Sequence, residues 1–303
     1  MNRSARILVL GEALVDVFPD REVIGGAPFN VARNLAALGA SPLLVSRVGA
    51  DESGERVLGQ MRQLGMPVHG VQRDREHPTG CVRVSLADGQ PDYFIEPDAA
   101  WDWLEAEPAT ACVRAARPAL AYFGTLAQRS PTSCATIREC LSASPALRVL
   151  DINLRGIEGE REVAADSLEL ADVLKLNEAE LRTLARWFEP TRQDNETASA
   201  QALMAAFRLQ RIVLTRGEQG WSCFETGSRR VLEGPSPQVT VVDAVGAGDA
   251  FSAVLLLGEM RGWSLETTLL RAAEFAARVC TLHGAFDPSS SIYSEALARW
   301  DLD

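Results

Sequence analysis

The chain has 303 residues, 47% of them hydrophobic and 23% charged, which is enough to bury one large core. Its formal net charge of −11 argues against a nucleic-acid surface, and no apolar run is long enough to span a bilayer. Three histidines lack metal-ligand spacing, and six scattered cysteines form no C-x-x-C pair, so a zinc site and a disulfide framework are not expected. The start Met1-Asn2-Arg3-Ser4-Ala5-Arg6 is basic, but the apolar run after it breaks at Gly11-Glu12. That pattern reads as a first strand and not as a signal peptide, so a cytoplasmic protein with reduced thiols is expected.

In chain order, Ile7–Leu10 is a continuous apolar run, the pattern of a strand buried on both faces, and residues 11–18 continue it with polar residues interspersed. Pro19-Asp20-Arg21-Glu22 reads as a loop. Gly25-Gly26-Ala27-Pro28-Phe29-Asn30 leads into a helix, with Pro28 in its first turn and Gly39 just past its end. A strand at 43–48 follows, then a helix capped by Asp51 and stopped at Gly65. Residues 81–95 differ: Val82-Arg83-Val84-Ser85-Leu86 alternates, Ala87-Asp88-Gly89-Gln90 is a hairpin turn, and Tyr93-Phe94-Ile95 returns. This suggests an antiparallel appendage with one wet face. From about residue 119 the rhythm is regular, with strands at 119–123, 147–152, 172–176 and 211–215. Helices are expected at 131–143, 161–170, 178–188 and 198–208. The alternation implies a mostly parallel sheet covered on both faces. A hairpin-like piece (221–225, 229–233), helices near 250–261, 265–282 and 293–299, and a polar linker at 190–196 complete the reading.

The stretch 239–262 concentrates the chemistry. A β-branched run, Val239-Thr240-Val241-Val242, ends at Asp243. Gly246-Ala247-Gly248-Asp249 follows and an apolar helix begins. The order reads as a strand feeding a tight turn, with unpaired amides at a helix N-terminus and a carboxylate beside them. No G-x-x-x-x-G-K-[ST] loop occurs. As a dinucleotide fingerprint the stretch fails, because Phe251 stands where a third glycine should be. Asn177-Glu178-Ala179-Glu180 fits a helix capping box as well as a phosphate and metal site. Thr215-Arg216-Gly217-Glu218-Gln219-Gly220 fits a plain strand-end turn as well as a nucleotide site.

Two motifs together resemble the phosphofructokinase-B, or ribokinase-like, family of carbohydrate kinases. One is Asp243 to Asp249, matching Asp-Thr-x-Gly-Ala-Gly-Asp except that Ala244 replaces the Thr; the other is Gly25-Gly26 with Asn30. The resemblance covers nearly the whole chain. It implies a single ribokinase-like catalytic domain over 1–303, α/β in class. That fold is a three-layer α/β/α sandwich with a mostly parallel central sheet and a small antiparallel β lid near 12–24 and 81–96.

By the same resemblance, Gly246, Ala247 and Gly248 form an anion hole and Asp249 is the general base that takes a proton from a sugar hydroxyl. Asp16, Gly25, Gly26, Asn30 and Arg155 bind the sugar, Arg155 within Asp151-Ile152-Asn153-Leu154-Arg155. Asn177, Thr215, Arg216, Gly217, Gly220 and Gly284 line the ATP site, and His283 beside Gly284 reads as a helix-end cation. Glu180 organises Mg2+ through water, and Asp243 lies near a possible K+ site. The implied partners are a small-molecule sugar and ATP, with neither nucleic acid nor membrane, and a homodimer paired through the lid is possible. Gly11-Glu12 with Asp16, and Asp151–Arg155, look most like fructokinases, which convert fructose to fructose 6-phosphate. A 2-keto-3-deoxygluconate kinase, a ribokinase and a non-catalytic sugar- or nucleotide-sensing relative are the alternatives. With Ala244 in place of the Thr, the anion hole lacks one hydroxyl while the base and the glycines remain.

Overall fold

The computed structural model describes residues 7–87, 90–156, 159–188 and 195–302. The start 1–6, the hairpin tip at 88–89 and most of the 190–196 linker expectation lie outside them.

Nine strands form one sheet in the order β13-β12-β11-β10-β9-β8-β1-β4-β5. In chain order these are β1 (Ile7–Leu10), β4 (Leu43–Gly49), β5 (Val71–Asp74), β8 (Leu120–Gly124), β9 (Leu147–Asp151), β10 (Val173–Asn177), β11 (Arg211–Thr215), β12 (Trp221–Glu225) and β13 (Leu232–Gly234). All pairs from β5 to β11 are parallel, while β12 and β13 join antiparallel. In β1, Ile7 and Val9 enter one core and Leu8 and Leu10 the other, as the period-two alternation of a strand buried on both faces requires. The first core is closed by α1 (Ala27–Ala37), α2 (Glu52–Gln63), α8 (Ala247–Arg261), α9 (Leu265–Val279) and α10 (Ser291–Arg299). The second is closed by α3 (Ala106–Ala116), α4 (Pro131–Ser142), α5 (Glu160–Leu170), α6 (Glu178–Phe188) and α7 (Glu196–Phe207). This is the ribokinase-like α/β arrangement.

Local chemistry explains the helix ends. Proline stands in the first turn of α1, and Gly39 adopts φ +77 just beyond its C-cap. Asp51 caps α2 by accepting from the Gly54 amide at 2.8 Å. Residues 250–258 of α8 are all buried, because this helix packs against both α1 and α9.

A second sheet of four strands has the order β3-β2-β6-β7, from β2 (Leu14–Val17), β3 (Glu22–Gly25), β6 (Gly80–Ala87) and β7 (Gln90–Ile95). The β2–β3 and β6–β7 pairs are antiparallel, whereas β2 and β6 run parallel. Residues 11–18 therefore do not extend the first strand. The chain leaves the large sheet at Gly11, whose φ is +143, and β2 starts the small one. Glu22, read as loop, opens β3. One expected strand is absent: residues 239–242 lie in an irregular segment, and Val241 and Val242 are exposed. The Val242 amide bonds to the Cys280 carbonyl, not to a strand neighbour. Without a sheet edge to pair with, β-branched residues do not make a strand.

Candidate active site

The C-terminal ends of the parallel strands, where open α/β sheets place ligands, converge on the start of α8. Gly246 is its N-cap, with φ +80, and a Cβ there would lie 2.3 Å from the Ala285 Cβ. Only glycine supports that conformation and that approach. Asp243 locks the turn from the other side: its Oδ1 accepts from the Val245 amide at 2.9 Å and its Oδ2 from the Gly284 amide at 3.0 Å. The loop before α8 and the 280–286 loop are thus tied through one carboxylate. With both oxygens engaged, Asp243 serves in this structure as a clamp. The first amides of α8 lack intrahelical acceptors by helix geometry and carry the positive end of its dipole.

Asp249 stands in that first turn. Asn30 Nδ2, from the start of α1, donates to its Oδ2 at 2.7 Å. Burial pushes the Asp249 carboxyl up to about 6; the Asn30 hydrogen bond, Lys175 and Arg155 oppose the shift and Asp151 adds to it. Behind the loop lies a buried polar cluster. Asp151 Oδ2 accepts from Lys175 Nζ at 2.9 Å, from Ser252 Oγ at 2.8 Å and from the Tyr122 hydroxyl at 3.3 Å. Lys175 Nζ sits 3.5 Å from where a Cβ on Gly248 would be, beside the 246–248 turn. Burial alone would lower this lysine, but Asp151 overrides that and holds it protonated.

Beside this turn a cavity of about 370 Å³ is lined by Asp16, Gly25, Asn30, Arg33, Gly284 and Phe286, among others. Asp16 reaches it from β2. Its Oδ2 lies 2.3 Å from the position a Cβ on Gly25 would take, so that glycine makes room for the carboxylate. Burial raises Asp16 to about 6, against the pull of Arg155 and Arg33. Glu12, on the turn between β1 and β2, is raised by burial to about 7, and its Oε2 is buried without a hydrogen-bond partner. Arg155 is exposed and acts electrostatically on Glu12, Asp16 and Asp249. A larger depression of about 490 Å³ near Arg208 and Ser228 opens at the opposite end of β11, away from these groups.

On the remaining side, Asn177 and Glu180 form a reciprocal capping box. Glu180 Oε2 accepts from the Asn177 amide at 2.8 Å, and Asn177 Oδ1 from the Glu180 amide at 3.0 Å. Glu180 Oε1 also accepts from the Leu154 amide at 3.1 Å, which ties α6 to the loop carrying Arg155. Arg216 is committed within the protein, to Glu196 at 2.8 Å and to Ser222 at 2.7 Å. Its guanidinium meets a phosphate only by giving up that pair. Thr215 ends β11, Gly217 and Gly220 follow in a short turn, and His283 is exposed beside Gly284.

A family model described as pfkB family carbohydrate kinase matches residues 5–292. The chain is 30% identical over 276 residues to a fructokinase of Escherichia coli, covering 84% of each protein. The chain belongs to the pfkB family of carbohydrate kinases. A fructokinase from Xylella fastidiosa with bound ATP superposes with a TM-score of 0.84 at 24% identity, over 98% of this chain and 99% of that one. A fructokinase double mutant from Vibrio cholerae O395, in a fructose-, ADP- and potassium-bound form, does so at 0.78 and 23%, over 96% and 98%.

In this carbohydrate kinase, the structure places Asp16, Gly25 and Asn30 on the wall of one cavity, joins Asp249 to it through Asn30, and bonds Asp243 to Gly284; Gly26, the N-cap of α1, and exposed Arg155 are not among the lining residues. Three further groups at the site escaped sequence reasoning. Glu12 was noted only as part of a motif. Lys175 carried a signal, a charged residue inside the apolar strand Val-Leu-Lys-Leu just before Asn177. Arg33 carried the same kind of signal, a cation on a helix otherwise lined with small and apolar residues.

Proposed function

We propose that this carbohydrate kinase transfers the γ-phosphoryl group of ATP to a hydroxyl of D-fructose, giving fructose 6-phosphate and ADP. One observation carries the reading: Asp249 stands in the first turn of α8, beside the anion loop, and shares a hydrogen bond with an asparagine of the sugar-sized cavity. Phosphoryl transfer needs positioning and charge stabilisation more than covalent help. Asp16 and Asn30 hold the sugar, carboxylates suiting vicinal hydroxyls because each oxygen accepts. Asp249 takes the proton of the attacking hydroxyl as its oxygen bonds to the γ-phosphorus and the bond to ADP breaks. The α8 amides, with Gly246, Ala247 and Gly248, face the charge that develops on the phosphoryl oxygens. Lys175 beside the loop adds a fixed positive charge.

The nucleotide extends past Asn177, Thr215, Gly217, Gly220 and Gly284. Exposed Val241, Val242 and Val245 offer apolar surface at that rim. Magnesium fits if the ATP phosphates and water supply most of its ligands, because no cluster of three His, Cys, Asp or Glu side chains forms among the described residues. Glu180, with each oxygen already bonded once, is left to reach such an ion through water; the ion neutralises phosphate charge. The Vibrio cholerae fructokinase double mutant has a potassium ion bound, and Asp243 is the residue here to test for such dependence.

The whole chain acts as one catalytic domain, the small sheet being a lid that limits ATP hydrolysis by water. Its exposed Phe94 suits pairing with a second copy. No helix of the described residues is long and apolar enough to cross a membrane, and all six cysteines are free, which suits the cytoplasm. A second acceptor, a keto-deoxy sugar acid, is favoured by Arg155, whose guanidinium has no ion-pair partner among the described residues.

The deciding experiment is coupled ADP release over fructose, ribose, 2-keto-3-deoxygluconate, tagatose 6-phosphate and adenosine, with and without potassium. Fructose is expected to give the highest kcat/KM. No release above the Asp249→Asn variant with any acceptor overturns the kinase reading of this site, and a sugar acid outpacing fructose replaces the substrate.

A further inference from the structure

Arg33 is a buried cation that the proposed chemistry does not use. It is 3% exposed, and no carboxylate lies within ion-pair distance of it among the described residues. Instead Nη2 donates to Asn30 Oδ1, Nη1 donates to Gln60 Oε1 of α2 at 2.9 Å, and Nε is buried without a partner. The guanidinium lies between two rings, with centroids at 5.0 Å for Phe29 and 4.8 Å for Phe286. Buried charges without a partner are costly, and an apolar side chain of similar volume is often neutral or stabilising in such a place. Stability alone therefore gives no account of Arg33.

We propose that Arg33 is a positioning residue for the phosphoryl transfer: it fixes the side-chain amide of Asn30 with its NH2 turned to Asp249. The inference rests on the kinase reading above. The reason is the donor and acceptor inventory. A guanidinium only donates, and an ionised carboxylate only accepts. An asparagine amide held between them has one orientation that satisfies both, with Oδ1 to Arg33 and Nδ2 to Asp249. Without the donor on the Oδ1 side, the amide is free to turn, and turning it would present an oxygen to a carboxylate oxygen. The backbone beneath is held separately, since Asn34 Nδ2 donates to the Asn30 carbonyl at 2.9 Å and the Tyr293 hydroxyl donates to Asn34 Oδ1 at 3.0 Å. Arg33 therefore controls the one remaining freedom, the amide torsion. Through Phe286 and Gln60 it also ties that torsion to the 280–286 loop and to α2. Asp249 keeps one oxygen bonded to Asn30 and the other free for the acceptor proton.

The groups acting on Asp249 come from every neighbouring element: Glu12 and Asp16 from the β1–β2 region, Arg33 from α1, Tyr122 from β8, Asp151 and Arg155 from β9 and its loop, and Lys175 from β10. Losing Arg33 removes a cation and unfixes a donor, and both changes disfavour ionised Asp249. The acid limb of kcat must then move to higher pH.

The test compares Arg33→Met and Arg33→Lys with the unaltered enzyme on its best acceptor. Arg33→Met is expected to lose about 10- to 100-fold in kcat, the scale of a misaligned reacting group, with an unchanged KM for ATP and an unchanged or higher Tm. Its acid limb should shift upward, and Arg33→Lys, which still donates, should recover part of the loss. A kcat and acid limb like those of the unaltered enzyme, a loss confined to the acceptor KM, or a fall in Tm parallel to the fall in kcat overturns the inference. Should the unaltered protein turn over none of the acceptors, the functional reading falls separately, and a crystal structure of Arg33→Met still decides. An Asn30 amide turned from Asp249 supports the role, and a retained Asn30–Asp249 bond overturns it.

Discussion

The rim of the large sheet and the small four-stranded sheet face each other across one cavity, but they are built with unequal means. The rim is over-determined by the main chain: Asp243 clamps two loops, Glu180 accepts from two amides, and Gly246 presses against Ala285. Behind it stands α8, buried along its whole central length. Among the described residues, the small sheet's core is Leu14, Val82 and Val84, with Phe18 and Ile95 packed against it. The charge-transfer apparatus of the proposed function is thus held by many bonds, and it faces a sheet whose core among the described residues is small. Under the proposed function, such an arrangement keeps the phosphoryl geometry rigid and leaves the acceptor side free to close, since segments with few buried contacts open at low cost.

If that contrast holds, changes at the rim act on turnover and changes in the small sheet act on acceptor binding or assembly. The largest effect should come from Asp249→Asn, which removes the proposed base. A fall of about 10²- to 10⁴-fold in kcat is expected in the coupled ADP assay. The unaltered enzyme should lose activity below about pH 6, where Asp249 protonates. Next comes Gly246→Ala, whose added Cβ would lie 2.3 Å from Ala285 at a φ that only glycine favours. About a 10²-fold loss of kcat with little change in far-UV circular dichroism is the expected signature, and an enzyme indifferent to it would break the comparison.

Glu12, at the junction of the two sheets, tests the electrostatics. Its folded carboxyl is raised from 4.5 to about 7, so the folded state binds the proton more tightly than the unfolded chain. The stability this lends is fully present below the unfolded value and is lost as pH rises through about 7. Glu12→Gln does not titrate and keeps an acceptor for the amides. It should raise Tm at pH 8 by a few degrees, on the order of 3 kcal/mol at most, with the advantage vanishing towards pH 4. A pH-independent difference would refute the assignment. The smallest effect on turnover should be that of Phe94→Ser at the outer small sheet. It should shift a dimer to monomer in light scattering while leaving kcat nearly intact; a kcat collapse would mean that the small sheet is part of the rigid apparatus.

Much of this was legible beforehand for a physical reason. Strands of a parallel sheet are buried on both faces and read as unbroken apolar runs, so β1, β4, β8, β9, β10 and β11 stand out. Caps such as Asp51 and turn residues such as Gly39 obey local rules. Elements set by their neighbours did not stand out. β3 is only four residues long, β5 is short and mostly polar, and α3 has Pro108 and scattered alanines with few large apolar residues. The valines at 239–242 failed in the opposite direction, having strand propensity but no edge to join. Arg216, expected to line the ATP site, is instead paired with Glu196, which the fold brings beside it.

The amino-acid sequence by itself determined the class of fold, the glycine turn before α8, and which carboxylate stands in it, because each follows from local spacing and backbone preference. The tertiary structure alone decided what surrounds that carboxylate. Asn30 reaches it from 219 positions away along the chain, Lys175 lies beside the loop, and Arg33 stands behind Asn30. These are long-range contacts between side chains whose order in the chain carries no trace of their meeting. Only packing in three dimensions turns a glycine-rich turn with an aspartate into a site with a buried carboxyl raised to about 6.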